Sequence, residues 1–331
     1  MNEGVLRFGR ILVATDFSAS ADAAIKRAIW IAKQAQGKVV VAHVIADLRN
    51  AVSHTSYRSR IEFLEGQEEH FQRELRHNSD EKLKRLIRGL GDTGVSIKYE
   101  TLLGTPYVEL IHSVQQERYD LVVVGSRGNS PWQQLFLGST ARRLIRQCPA
   151  SVWVVRGEGS EPPSSIVAAV DLSEVSRRAL EQALELASCV GAHLHVLHVI
   201  EHDVPDHLLD TRPANSPVST LRQWIEREAT ESFEKLLASF ETAGDKIHRH
   251  IKWGTPGEEI VKLAKEVQAD VIAIGTVGRS GIQGLLLGNT AEKVLTHCDC
   301  DILTVRSAEF QSSIAPPTWS LHPGPERRQE G

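Results

Sequence analysis

The sequence predicts an α/β protein of two tandem Rossmann-like domains, each a five-stranded parallel sheet flanked by helices. The first observation is an internal repeat, because residues 104–156 and 254–306 align without a gap and share 17 of 53 positions. The second is that short apolar runs alternate with amphipathic segments in each copy. The third is that these runs are apolar on both faces, which is typical of a doubly wound parallel sheet.

The upstream parts of the two copies align as well. Residues 11–24 match 166–179 and residues 39–47 match 194–202, both at an offset of 155. The offset downstream is 150, so the first copy carries five extra residues in its middle. The same motifs therefore occur twice in the same order, and a duplication is the firmest conclusion that the sequence allows.

The repeat and the local composition divide the chain. We expect the first domain to span residues 1–157 and the second to span 166–307, with a linker rich in serine, proline and acidic residues at 158–165. Residues 308–331 are rich in proline, serine and charge, and we expect them to form a disordered tail.

Strands and helices follow one another in the first copy. Apolar residues at helical spacing predict a helix over 19–36, and a second helix is predicted over about 60–90 with its many charges on a solvated face. The five predicted strands are residues 10–15, 38–45, 96–103, 120–125 and 151–156.

Composition excludes several classes of protein. The 331 residues are 41% hydrophobic, carry a formal net charge of −4 and contain no long basic block, so we expect no nucleic-acid partner. No apolar run approaches the roughly 20 residues of a membrane span, and the start lacks a signal-peptide core, so we expect no membrane partner. The four cysteines form no CxxC pair, which favours buried free thiols in a reducing cytoplasm.

A glycine-rich turn lies between a predicted strand and a predicted helix in the first copy. It reads Gly125-x2-Gly128-x9-Gly138-Ser139-Thr140. Glycines let a backbone approach a phosphate, and the first N–H groups of a helix attract anions. In the alternative interpretation the hydroxyls only cap the helix and the glycines only shape turns. One copy alone does not separate these two interpretations.

Two further residues lie at the carboxyl ends of the first two predicted strands, which meet at one edge of a parallel sheet. The carboxylate of Asp16 is suited to accept hydrogen bonds from a ribose, and the Val44 backbone is suited to bond a purine edge. Asp16 is equally suited to cap the helix that follows it.

Together, "VATDFS", "AHV", "GTP" and the G-x2-G-x9-G-S spacing resemble the universal stress protein family in its tandem two-domain form. The resemblance covers nearly everything from residue 8 to residue 307. It implies the strand order 3-2-1-4-5 in each domain and a cytoplasmic protein of the stress response. Nucleotide-binding members of the family hold ATP at the corresponding site.

The resemblance also implies which residues form the two sites. In the first domain, ATP would be held at its adenosine end, ribose and phosphates, with or without Mg²⁺, by nine residues. These are Thr15, Asp16, Val44, Gly125, Arg127, Gly128, Gly138, Ser139 and Thr140. In the second domain the matching positions are Asp171, Val199, Gly275, Gly278, Gly288, Asn289 and Thr290.

The second copy departs from the family pattern at the phosphate end. Asn289 stands where the family has serine or threonine. Its amide can still donate a hydrogen bond, but it is bulkier beside the phosphates than a hydroxyl. The charges differ as well, because the first copy has Arg127, Arg142 and Arg143 where the second has Val277, Glu292 and Lys293. We therefore predict that the first domain is the better ATP site and that the second is weak, empty or adapted to another ligand.

A histidine-rich region in the second copy raises the question of a metal site. Its members are His193, His195, His198, His202, His248 and His250. Four imidazoles that converge from neighbouring strands suit a transition metal. His198, however, aligns with His43 of the first copy and so has a framework role, and the others fit solvent-facing positions at strand ends. We predict no metal site here.

Known hydrolytic motifs are absent from the sequence, which has no GxxxxGK[ST], GxSxG or HExxH pattern. The favoured hypothesis is an ATP-binding regulatory protein without efficient catalysis, acting through an unidentified protein partner. The alternatives are a nucleotide-independent scaffold or small-ligand binder, and a slow ATPase.

The last strand of each copy, residues 151–156 and 301–306, is expected at an edge of its sheet. Because an exposed edge needs cover, the two copies are expected to pair these edges within one chain as a pseudo-dimer. A further homodimer of two chains is left open by the sequence.

Overall fold

The computed structural model of the chain describes seven stretches, which are residues 8–45, 68–127, 137–157, 161–201, 217–240, 246–277 and 287–316. Two predicted site residues, Gly128 and Gly278, lie outside them.

The first half contains five strands and four helices in its described residues. In chain order these are β1 (Arg10–Ala14), α1 (Ala19–Ala35), β2 (Lys38–Ile45), α2 (Glu68–Gly89), β3 (Ser96–Leu103), α3 (Pro106–Glu117), β4 (Leu121–Gly125), α4 (Ser139–Gln147) and β5 (Ser151–Val155). The five predicted strands are confirmed to within one residue at each end. The predicted helix over 60–90 is present from residue 68, and its first residues lie outside the described stretches.

The second half repeats this arrangement. Its elements are β6 (Ser165–Val170), α5 (Glu174–Val190), β7 (His193–Ile200), α6 (Pro217–Ala238), β8 (Ile247–Trp253), α7 (Pro256–Glu266), β9 (Val271–Gly275), α8 (Asn289–His297) and β10 (Asp301–Val305).

All ten strands join one sheet, in the order β3-β2-β1-β4-β5-β10-β9-β6-β7-β8. Within each half every pairing is parallel and the order is 3-2-1-4-5, as the family resemblance implies. The two halves meet through β5 and β10, which pair antiparallel. Each would-be edge strand thus covers the other, and the intramolecular pseudo-dimer expected from the duplication is confirmed.

The junction of the halves has approximate two-fold symmetry. Trp153 of β5 pairs with Leu303 of β10, and these residues occupy equivalent positions in the two copies because the offset is 150. A pairing centred on equivalent residues is what a two-fold axis through the sheet requires. The fused halves therefore associate as two subunits of a symmetric dimer would.

Two apolar layers cover the two faces of the sheet. One layer is formed by α1, α2, α5 and α6 and extends across both halves, with the indole of Trp153 buried within it. The other is formed by α3, α4, α7 and α8. Helices on both faces explain why the inner strands are apolar on both sides rather than alternating.

Helix boundaries follow local capping chemistry. The Ser18 and Ser173 hydroxyls accept from backbone N–H groups of the first turns of α1 and α5, each at 3.2 Å. Helix α5 ends at Gly191 in the left-handed conformation, which costs a glycine little. Helix α3 ends in the same way at Arg118, with a φ of 52°.

A buried ion pair joins the two halves. Arg27 of α1 and Asp301 of β10 approach to 3.1 Å, with side chains that are only 7% and 2% exposed. At the position related by the two-fold axis, Ser151 donates a hydrogen bond to Gln182 at 3.2 Å. The same contact between halves is thus ionic on one side and neutral on the other.

Part of the C-terminal segment beyond β10 lies against the first half. The carbonyl oxygens of Ile314 and Ala315 are bonded by Gln115 at 3.0 Å and His112 at 3.1 Å, both on α3. Residues 317–331 of the expected tail fall outside the described stretches. No helix among the described residues has the length and apolarity of a membrane span.

Candidate functional site

The described residues of the site predicted in the first half lie near the carboxyl ends of the central strands, where the strand order reverses between β1 and β4. Hydrogen bonds connect the loops at this edge. The Thr15 N–H donates to Ala42 O at 2.9 Å, and His43 Nδ1 donates to Thr15 O at 2.8 Å. These bonds fix the loop after β1 against the end of β2, the strand that carries Val44.

The loop after β1 is shaped by its own side chains. Asp16 Oδ1 accepts from the Ser18 N–H at 3.0 Å, and Phe17 between them has a φ of 62°. Because Ser18 is the capping residue of α1, Asp16 is not needed as the cap. The Asp16 side chain is exposed at the strand-end edge, which is the placement a ligand role requires.

Gly125, at the end of β4, has a packing role. A Cβ at this position would lie 2.6 Å from the carbonyl oxygen of Ser20 in α1, so no larger residue fits. The Arg127 N–H, two residues further on, donates to Ser20 Oγ at 3.3 Å. The glycine at 125 is therefore explained by the close approach of α1, and a phosphate is not needed to account for it.

The start of α4 is different. Gly138 is the capping position with φ −57° and ψ 150°, and as a glycine it has no side chain with which to cap the helix. The alternative that Ser139 or Thr140 serves as the cap is thus not realised. The Gly138 N–H is bonded to Ser126 O at 2.8 Å, while Ser139 is exposed and Thr140 half-buried. Uncapped N–H groups and two hydroxyls at a helix start are an anion-binding arrangement.

The second half reproduces these bonds. His198 Nδ1 donates to Val170 O at 2.8 Å, as His43 does in the first half, and this confirms the framework role predicted from their alignment. Asp171 Oδ1 accepts from the Ser173 N–H at 3.0 Å. The Gly288 N–H donates to Thr276 O at 2.8 Å. Both halves therefore present the same strand-end edge.

A cavity of about 670 Å³ opens at this edge of the second half. All six predicted second-half residues that the structure describes line it, namely Asp171, Val199, Gly275, Gly288, Asn289 and Thr290. This volume lies within the range of small-molecule sites, roughly 300–1,000 Å³. The structure thus brings these six residues together in one cavity, and their role in binding a ligand stays a prediction.

Gly288 keeps part of this cavity open. The nearest described atom to a Cβ built there is Thr276 O at 3.6 Å, an ordinary contact, and the backbone has φ −77° and ψ 153°. Packing among the described residues and backbone conformation would both accept a side chain. No described neighbour therefore accounts for the glycine, and its role in leaving space for a ligand stays a prediction.

Helix α6 supplies lining residues that the sequence analysis missed. Trp224, Ile225 and Glu228 face the cavity from this helix, and Glu201 faces it from the end of β7. Their position depends on how α6 docks on the sheet, which local sequence does not specify. The sequence shows that residue 224 is a tryptophan, but its 60% exposure is visible only in the structure.

Histidines of β7 lie within hydrogen-bonding distance of histidines of β8. His193 Nδ1 lies 3.0 Å from His248 Nε2, and His195 Nδ1 lies 3.1 Å from His250 Nε2, with the rings stacked along β7 and β8. Burial, with its histidine neighbours, lowers the pKa of His195 to about 4. Within the described part of the chain no group of three or more potential ligands is arranged for a metal ion.

Comparisons with known proteins agree with this architecture. The model of the universal stress protein family matches residues 7–156 and 164–306. A universal stress protein of Mycolicibacterium smegmatis is 30% identical over 307 residues, which cover 89% of this chain and 96% of the relative. Universal stress protein E of Photorhabdus laumondii is 25% identical over 316 residues, covering 93% and 98% respectively.

The fold is matched by a solved structure as well. That of a universal stress protein from Archaeoglobus fulgidus has a TM-score of 0.61 at 21% identity and covers 91% of this chain and 99% of its own.

Proposed function

The chain belongs to the universal stress protein family, and we propose that it is a cytoplasmic regulatory protein that binds ATP, chiefly in its first half, without efficient turnover. Its occupied and empty states would differ in affinity for a protein partner. The observation that carries the proposal is the strand-end edge common to both halves, with a ligand-sized cavity at the second-half copy.

Charge at the helix start favours the first half for a triphosphate. The first turn of α4 contains no acidic residue, and Arg142 within it is exposed. The first turn of α8 contains Glu292 instead. A polyphosphate is attracted to helix-start N–H groups beside an exposed guanidinium, whereas the Glu292 carboxylate is paired with Arg146 at 3.0 Å and offers no such attraction.

Each part of ATP has candidate partners at this edge. Asp16 and the Val44 backbone would hold the adenosine end, and the α4 start with Ser139 and Thr140 would hold the phosphates. Phosphoryl transfer needs a positioned base as well as concentrated positive charge. The groups assigned to the phosphates here are amides, hydroxyls and a guanidinium, which bind but do not accept a proton, so binding is proposed rather than turnover.

The test is calorimetric titration of the full chain with ATP, with and without Mg²⁺. In the variant Gly138→Val the new side chain would occupy the phosphate end, and we expect at least a tenfold loss of ATP affinity. The backbone angles at Gly138 are ones that valine adopts readily, so the fold should persist. The matched control is Gly288→Val, which makes the same change at the equivalent position of the second half.

Two outcomes would contradict the proposal. If the wild-type chain binds no ATP, the nucleotide function is wrong. If Gly288→Val removes ATP binding and Gly138→Val leaves it intact, the site lies in the other half. A phosphate-release assay on the same samples distinguishes binding from slow hydrolysis.

A further inference from the structure

The cavity of the second half has an acidic lining. Carboxylates reach it from three places, Asp171 after β6, Glu201 after β7 and Glu228 on α6. The described part of the lining contains no lysine or arginine. Three negative charges around one concave site favour cations and disfavour polyanions, because the low-dielectric walls strengthen the field.

Two lysines of the second half pair with carboxylates that do not line this cavity. The ammonium group of Lys293, in α8, lies 2.5 Å from a carboxylate oxygen of Glu258. That of Lys252, in β8, lies 3.0 Å from Glu266. Neither residue belongs to the cavity lining, so the helix start at Asn289 receives no side-chain cation from these two positions.

The same cavity has an aromatic wall. Trp224, on α6, is 60% exposed and lines the cavity together with its neighbour Ile225. An exposed indole on a cavity wall offers a face on which a flat ring can stack, and it attracts cations as well. Apolar surface, an indole and carboxylates together suit a ring compound that carries hydroxyl or amino groups.

From these observations we infer that the second-half cavity binds an uncharged or cationic nucleoside-type ligand and excludes nucleoside polyphosphates. The carboxylates accept hydrogen bonds from hydroxyl and amino groups of the ligand, and Trp224 stacks on its ring. The inference rests on the proposed function, because it treats this cavity as the counterpart of the nucleotide site in the first half. The two halves then differ in ligand charge while sharing one backbone framework.

A series of three ligands that differ only at the 5′ position tests this directly. The ligands are 5′-amino-5′-deoxyadenosine, adenosine and AMP, titrated calorimetrically into the full chain carrying Gly138→Val. We expect affinity to fall in that order, at least threefold at each step, because the charge changes from positive to neutral to negative. Raising the salt concentration should reduce both steps, since exposed charges are then screened.

Single substitutions identify the cavity as the source of this order. Glu228→Gln should lower the affinity of the cationic ligand at least threefold and change that of adenosine less. Glu226→Gln is the matched control, since Glu226 is exposed on the same helix but does not line the cavity. Trp224→Leu should weaken the three ligands alike. Gly288→Val in the otherwise wild-type chain should weaken the binding of the cationic ligand at least threefold, because the new side chain narrows the cavity, and this comparison keeps the test valid if Gly138→Val does not fold.

The outcomes separate this inference from the proposed function. If AMP binds the cavity more tightly than adenosine, or if none of the three ligands binds, the inference is overturned while ATP binding in the first half stands or falls by its own titration. If the nucleoside order holds but the wild-type chain binds no ATP, the proposed function fails and the inference about the cavity survives.

Discussion

The ion pair between the two halves gives the most decisive stability prediction. Asp301 is almost fully buried and accepts from four directions. Its Oδ2 is bonded by Trp153 Nε1 at 2.9 Å and approached by Arg27 Nε at 3.1 Å, and its Oδ1 is bonded by the N–H groups of Arg156 at 2.8 Å and Gly157 at 3.3 Å. A carboxylate satisfies all of these groups, because each oxygen only accepts.

Asp301→Asn removes the charge and turns one acceptor into a donor. Either orientation of the amide points its NH₂ group at N–H donors and leaves the guanidinium of Arg27 buried without a counter-charge. Removing one member of a buried ion pair costs about 3–5 kcal/mol, and we expect the variant to lose at least 3 kcal/mol of unfolding free energy. Arg27→Gln should lower the unfolding free energy by a similar amount, because it leaves the Asp301 carboxylate buried without its cation.

The molecule supplies its own control for this experiment. The equivalent contact across the two-fold axis is neutral, with Ser151 bonded to Gln182. The double variant Arg27→Gln with Asp301→Ser copies that neutral pair into the ionic position. We expect it to lose about 2 kcal/mol less than the sum of the losses of the single variants Arg27→Gln and Asp301→Ser, which is within the coupling typical of contacting residues, roughly 0.5–3 kcal/mol.

Urea unfolding followed by both circular dichroism and tryptophan fluorescence measures these free energies, provided that the two probes give coincident transitions. A loss below about 1 kcal/mol for Asp301→Asn, or strictly additive losses in the double variant, would refute the reasoning from burial and charge.

Three further predictions concern single positions. Gly125→Ala would press a methyl group against the Ser20 backbone, and the urea midpoint should fall by the equivalent of about 1–3 kcal/mol, an outcome that an unchanged midpoint would contradict. Arg118→Gly relieves an exposed left-handed residue at the end of α3 and should raise the unfolding free energy by roughly 1 kcal/mol; a lower midpoint would speak against strain there. Burial and neighbouring histidines hold the pKa of His195 at about 4, below its ordinary 6.5. The contribution of the neutral imidazole to the unfolding free energy is therefore present above pH 6.5 and is lost as the pH falls towards 4. Between pH 7 and pH 4.5 the variant His195→Gln should therefore lose about 1 kcal/mol less unfolding free energy than the wild-type chain, a value discounted for solvent screening. Parallel curves of unfolding free energy against pH for the two chains would disprove this.

Much of the fold could be predicted because the sequence contains the same pattern of strands and helices twice. Two copies of the same apolar runs at fixed offsets identify the strands, and the family resemblance supplies their order. The edge-to-edge pairing of β5 with β10 could be predicted from the sequence as well, because each copy would otherwise leave an equivalent strand edge unpaired. These features depend on local pattern and on repetition, both of which a single sequence displays.

The chemistry of the site was less accessible. Gly125 and Gly288 both belong to the glycine motif, the first at a strand end and the second at a helix start, yet the first is required by the approach of α1 and the second is not required by any described neighbour. Spacing alone cannot separate these causes, since the difference depends on which atoms lie near each Cβ. Trp224 and Glu228 were missed for the same reason, because their place in the cavity is set by the docking of α6.

The ion pair shows what the repeat could still have revealed. Arg27 aligns with Gln182 and Asp301 aligns with Ser151, so both members of the pair depart from the repeat together, one to a cation and one to an anion. A chain of two first halves would set Arg27 opposite Ser151 on both sides of the axis and bury two cations without anions. A chain of two second halves would bury two aspartates opposite glutamine. The halves are therefore not interchangeable, and because each contact needs its own partner, the duplicated copies are held in a fixed pairing while the ligand sites at their strand ends are free to diverge.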